Sequence, residues 1–148
     1  MVLILVGAYR ALGGGPGAEE SEALLISAAT MLREALIGLP TAADAVAAPP
    51  DLALTARDGR RASAAAQQQL DRLPATDQLD DTEASVRALL VAAAEDAAWA
   101  WRLVSAGAVS PGVISAVAVL ADHAADCCDE AGVLLARTAA GVEPGDGP

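Results

Sequence analysis

The residues able to do chemistry concentrate in one stretch, ADHAADCCDEAG at 121–132. It holds the chain's only histidine, His123, and its only cysteines, Cys127 and Cys128, among Asp122, Asp126, Asp129 and Glu130. Helical geometry sorts them. At about 100° per residue, His123, Asp126 and Glu130 share a face at i, i+3 and i+7. That spacing can present one imidazole and two carboxylates to a divalent ion. A complete metal site would still need ligands from another helix or another subunit. The same wheel puts Cys127 in the expected core stripe with Val113, Leu120, Ala124, Ala131 and Leu134, and Cys128 on its far flank. The two thiols then diverge by about 100°, which disfavours joint chelation. A buried cysteine usually behaves as a small inert hydrophobe. A flank histidine beside a carboxylate is more often structural than a ligand.

Other chemistries lack parts. Ser115 lies eight residues from His123 on a different side, Ser105 and Ser110 sit at the opposite end, and no G-x-S-x-G elbow exists. Lysine is absent, so there is no Schiff-base amine and no phosphate-loop lysine. One histidine excludes a multi-histidine metal site within one chain. Gly13, Gly14, Gly15 and Gly17 follow the apolar MVLILVG, but Pro16 interrupts them and the dinucleotide spacing is not met. The acidic pairs Glu19/Glu22, Asp77/Asp80, Asp80/Glu83 and Asp126/Asp129 are about as many as chance gives a chain with 20 acidic residues. DDTE at 80–83 sits at a helix start, and RRAS at 60–63, which resembles a phosphoacceptor site, reads as a loop arginine pair near a helix start. No catalytic residue is assigned. No cofactor is expected apart from a divalent metal on the face of His123, Asp126 and Glu130.

The elements that position these residues are helices. About a quarter of the 148 residues are alanine, and aromatics make up 2%. Alanine is the best helix former and a poor strand former. The expectation is an all-α fold: an alanine-rich, mostly antiparallel four-helix bundle over 18–141. A loose arm and glycine-rich linker at 1–17 precede it, and a disordered tail at 142–148 follows. The first helix spans 18–38, opened by Glu19, Glu20 and Glu22 and closed by Gly38 and Pro40. A connector at 40–58 carries Pro40, Pro49 and Pro50, and a weaker helix at 59–73 ends before Pro74. Asp80 and Glu83 form a capping box for a helix at 81–105, with Gly107 as its left-handed cap. Ser110-Pro111 starts the last helix, which runs to about 138–140.

The helix at 81–105 carries both tryptophans. Val86, Leu90, Ala93, Ala97, Trp101 and Val104 make its core stripe, and Trp99 points about 160° from the stripe's centre with Ala88, Ala92 and Leu103 nearby. A helix apolar on two faces marks an oligomer interface, and tryptophan is a favoured anchor there. The expected partner is a second copy of the chain, with another protein as a further candidate. The net charge of −11 and scattered arginines give no basic footprint for direct nucleic-acid binding. The apolar runs MVLILVG and AVSPGVISAVAVLA are too short to span a bilayer, and two adjacent cysteines make no disulfide framework, so a cytoplasmic protein is expected. The function expected is a non-enzymatic, homodimeric interaction module. The alternatives are a metal-binding bundle or metal-dependent hydrolase using His123, Asp126 and Glu130, or a bundle binding a small ligand between alanine-lined helices.

Overall fold

A computed structural model of the chain describes residues 17–39, 52–106 and 110–141. They form four helices joined in part by one short turn: α1 (Ala18–Leu36), α2 (Leu52–Asp71), the 3-10 turn η1 (Thr76–Gln78), α3 (Asp81–Ser105) and α4 (Pro111–Ala139). There is no strand among the described residues. The all-α four-helix bundle expected from composition is the fold. The expected arm, the Gly107 cap, most of the connector and the tail lie outside the described residues.

Local signals start and stop the helices. The Asp80 side chain accepts the Glu83 N–H at 2.7 Å, and the Glu83 carboxylate accepts the Asp80 N–H at 3.2 Å, completing the capping box. Ser110 accepts the Val113 N–H at 3.3 Å, with Pro111 at the first helical position. After α4, Gly141 adopts φ 69°, the left-handed conformation that lets a glycine stop a helix. Arg87 donates to Thr76 Oγ1 at 2.9 Å, tying η1 to α3.

Two clusters make the core. Leu24, Leu25, Ala28 and Leu32 of α1 meet Ala66 and Leu70 of α2, Val86, Leu90 and Ala97 of α3, and Ala124, Cys128 and Ala131 of α4. A second cluster joins Leu39, Ala56, Ala100, Trp101, Val117 and Ala121. It gathers the end of α1, the start of α2, the end of α3 and the start of α4. The chain therefore runs up, down, up and down, with sequential helices antiparallel. Contact is most extensive between α3 and α4, and α1 reaches α3 across the diagonal.

The second helix corrects the sequence reading. It begins at Leu52, seven residues before the expected start at Gly59. Gly59 looked like a boundary and is instead a packing device. A Cβ there would stand 2.0 Å from Cε2 of Trp101, so only glycine lets α2 lie against that ring. The Trp101 ring is fully buried, and its Nε1–H donates to the Ala35 carbonyl at 2.9 Å. That carbonyl belongs to the last turn of α1, where helix oxygens lack intrahelical partners.

The buried side of α4 also differs from expectation. Val117, Ala118, Ala121, Ala124, Cys127, Cys128 and Ala131 are buried, while Val113, Leu120 and Leu134 are half-buried. The buried stripe is turned by about 60° from the one drawn through the large side chains. Alanine lets the α4 axis come close to its neighbours, and the bulky residues settle into the seams. Cys128, placed on a flank by the sequence, is in the centre of the stripe at 1% exposure. The apolar run expected to stop at Asp122 is part of one 29-residue helix, long and apolar enough by length and composition to cross a membrane.

Candidate functional site

The seam between α3 and α4 brings together the chemistry-bearing residues. Asp96 faces it from α3, one turn before Ala100 and Trp101, which fix the rotation of that helix by burial. His123 faces it from α4, on the exposed flank of the buried stripe. His123 Nδ1 pairs with the Asp96 carboxylate, a side-chain hydrogen bond that links the two helices. Its other ring nitrogen, Nε2, lies 3.8 Å from Cys127 Sγ, one helical turn further on. A carboxylate, an imidazole and a thiol thus stand in sequence, linked through the two ring nitrogens.

Electrostatics set their protonation states. The hydrogen bond to Asp96 raises the His123 pKa above the usual 6.5, helped by the charge of Asp96 and, more weakly, of Asp126, against a small desolvation effect. Burial pushes the Cys127 thiol up, and the charges of Asp96, Glu130 and Asp126 add to it. Burial pushes Cys128 up to about 11, opposed by the Arg33 guanidinium. Both cysteines are free. Burial and the surrounding carboxylates therefore favour a protonated Cys127 thiol, the reverse of the electropositive pocket that activates a nucleophilic cysteine.

The arrangement has the order of a nucleophilic triad without its remaining parts. Cys127 sits mid-helix, so the N–H groups around it are spent in the helix ladder and offer no oxyanion donors. Cys127 is buried, at 7% exposure, which leaves little approach for a carbonyl substrate. What the geometry can do is bind. The carboxylate holds the imidazole in one orientation, with Nε2 directed at sulfur, as ligand histidines are held by a second carboxylate in many metal sites.

Of the residues singled out from sequence, His123, Asp126 and Glu130 are all exposed on one side of α4. Among the described residues, no group of three or more His, Cys, Asp or Glu side chains is gathered as for a metal ion. The partners that His123 does have, Asp96 and Cys127, were not picked out. Asp96 lies 27 residues away on another helix, beyond the reach of a wheel, whereas Cys127 at i+4 was visible in the spacing. Glu19 and Glu22 do not approach His123. They begin α1 at the end of the bundle where α4 finishes, about 20 Å along the axis from Arg33, which itself meets Cys128 and Asp129. Ser63 of the RRAS stretch is 4% exposed and donates to the Gly59 carbonyl at 2.9 Å, so it is core and no phosphoacceptor.

The four residues expected at an interface divide. Trp99 is 56% exposed and Ala88 is exposed, while Ala92 and Leu103 are half-buried and pack on the two core clusters. The Arg102 guanidinium lies over the Trp99 ring, 5.0 Å from its centroid, a cation–π contact between two exposed side chains. Val119 and Val133 of α4 are also exposed apolar residues. No family model matches the chain, and neither a curated protein nor a solved structure is significantly similar to it.

Proposed function

We propose that the protein is a non-enzymatic interaction module that pairs with a second copy of itself through the outer face of α3. The observation carrying this reading is Trp99, an indole more than half exposed on a helix whose other side is fully buried. Tryptophan is among the residues most enriched at binding hot spots.

Charge pattern favours a copy of the same chain as the occupant. Glu95 stands four residues before Trp99 and Arg102 three after it, and all three are exposed on one stripe of α3. Glu95 makes no ion pair with another described residue. A two-fold axis passing beside Trp99 would run α3 antiparallel to its copy. It would set Glu95 of each chain against Arg102 of the other and bring the two indoles together. Such a face is self-complementary, which a two-fold dimer demands. Both copies carry −11, so the long-range field opposes the contact. At about 0.15 M salt that field is screened beyond roughly 8 Å, leaving the local pairs and the apolar anchor to decide.

Light scattering coupled to size exclusion tests the reading at 0.15 M salt. The chain is expected to be dimeric, and Trp99→Ala to raise the dissociation constant by about 30-fold or more, the scale of a hot-spot residue. Arg102→Glu should weaken the dimer, and Glu95→Arg combined with Arg102→Glu should recover it. A strict monomer, or a dimer indifferent to Trp99→Ala, would sink the proposal.

A further inference from the structure

We propose that His123 Nε2 and Cys127 Sγ form a chelating pair for a soft, zinc-like divalent cation, with Asp96 as the positioning residue that holds the imidazole from α3. The site is independent of the Trp99 contact.

The geometry carries the inference. Zinc bonds of about 2.3 Å to sulfur and 2.0–2.1 Å to nitrogen at a tetrahedral angle need an S···N separation of about 3.6 Å. The two atoms stand 3.8 Å apart, so a few tenths of an ångström of side-chain movement closes the bite. The i and i+4 placement on α4 fixes that distance from the helix itself. Asp96 occupies Nδ1, which leaves Nε2 as the nitrogen presented to the sulfur. A carboxylate on the far nitrogen orients a ligand histidine and raises its basicity. Thiolate with imidazole is a donor set suited to zinc, copper and their relatives, and unsuited to magnesium or calcium.

The two protein donors leave further positions open on the side where His123 is exposed. Glu130 and Asp126 face that side from α4. Their charges already reach Cys127, and they would favour a cation there. This site gives His123 a sulfur partner in place of the carboxylates expected from sequence, which favours thiophilic metals. Binding replaces a proton on each donor, the imidazolium proton and the thiol proton, and both pass to solvent. Affinity should therefore climb with pH for as long as either donor still holds its proton.

Titration with cobalt(II) alone as a spectroscopic probe, followed by displacement with zinc(II), tests the proposal. The expected result is one equivalent bound with a sulfur-to-cobalt charge-transfer band in the near ultraviolet, stronger at higher pH. Cys127→Ser should abolish the band, and His123→Ala should abolish binding. Asp96→Asn should weaken binding by about 10–100-fold, the usual effect of losing an orienting carboxylate. Cys128→Ala should change nothing. His123 is exposed, so His123→Ala keeps the fold, which circular dichroism verifies. The proposal is overturned if no thiolate band forms, if the band follows Cys128, or if His123→Ala binds cobalt as the parent does.

Discussion

Trp99 and Trp101 are two residues apart on one helix and live in opposite surroundings. A step of two residues turns a helix by about 200°, so one indole faces the core while the other faces outward. Trp101 is fully buried against Gly59, with its N–H bonded to Ala35, and it joins α1, α2 and α4 at one end of the bundle. Trp99 has Arg102 against its ring and solvent over more than half its surface. The same side chain is therefore a structural keystone at one position and an exposed surface group at the other. Its burial and polar partners decide which, and its chemistry alone does not.

The sharpest way to break the comparison is to truncate each ring in turn. Trp101→Ala removes the largest buried side chain and leaves a cavity, which should cost about 3–5 kcal/mol. Trp99→Ala should alter the stability of the monomer by no more than about 0.5 kcal/mol, as surface substitutions do. Chemical denaturation read at low protein concentration separates the two. Equal losses would mean that Trp99 is also structural, and the interface reading would lose its premise.

A smaller effect probes the other side of the Trp101 contact. Gly59→Ala places a methyl inside the indole, and the ring has to move. Overpacking of this kind costs about 1–3 kcal/mol. In an open helix position the same change would stabilise by about 0.4–1 kcal/mol. The sign of the measured change in denaturation midpoint thus reports whether the ring stands where the fold places it. A Trp101→Phe background, with a smaller ring and no N–H, should reduce the penalty.

The residues that could be read correctly from sequence are those whose signals are local or bulky. The Asp80–Glu83 box and the Ser110-Pro111 start act within one turn, and both lie where their spacing puts them. The core stripe of α3 was legible because Val86, Leu90 and Trp101 mark it with large side chains. In α4 the stripe is marked by alanine and cysteine, which occupy other faces too, so the bulkier Val113, Leu120 and Leu134 misplaced it. Gly59 shows the same limit from the other direction. A glycine reads as a helix boundary until the ring that needs its missing Cβ is known, and that ring is 42 residues away. Asp96 was invisible as a partner for His123 for the same reason, because only packing of α3 on α4 makes them neighbours.

The smallest expected effect concerns that pair and sharpens the contrast between outer surface and core. His123 is the chain's only histidine, so its ring protons give a single titration curve by nuclear magnetic resonance. The Asp96 hydrogen bond and charge place its pKa above the usual 6.5, with Asp126 contributing from α4 and Cys127 on the other ring nitrogen. A raised folded-state value means that the protonated form is favoured by folding. The stabilisation is fully present below pH 6.5 and is lost as pH rises through the folded-state pKa. Asp96→Asn should bring the histidine curve down toward the ordinary value and remove that slope from the stability profile above about pH 6.5. Asp126→Asn should lower the curve by less, because Asp126 is the weaker contributor. The imidazole is solvent-exposed, so the effect on stability should stay slight beside that of either core change. A His123 curve unmoved by Asp96→Asn would separate α3 from α4 at this seam, and with it the orientation of Nε2 on which chelation by Cys127 depends.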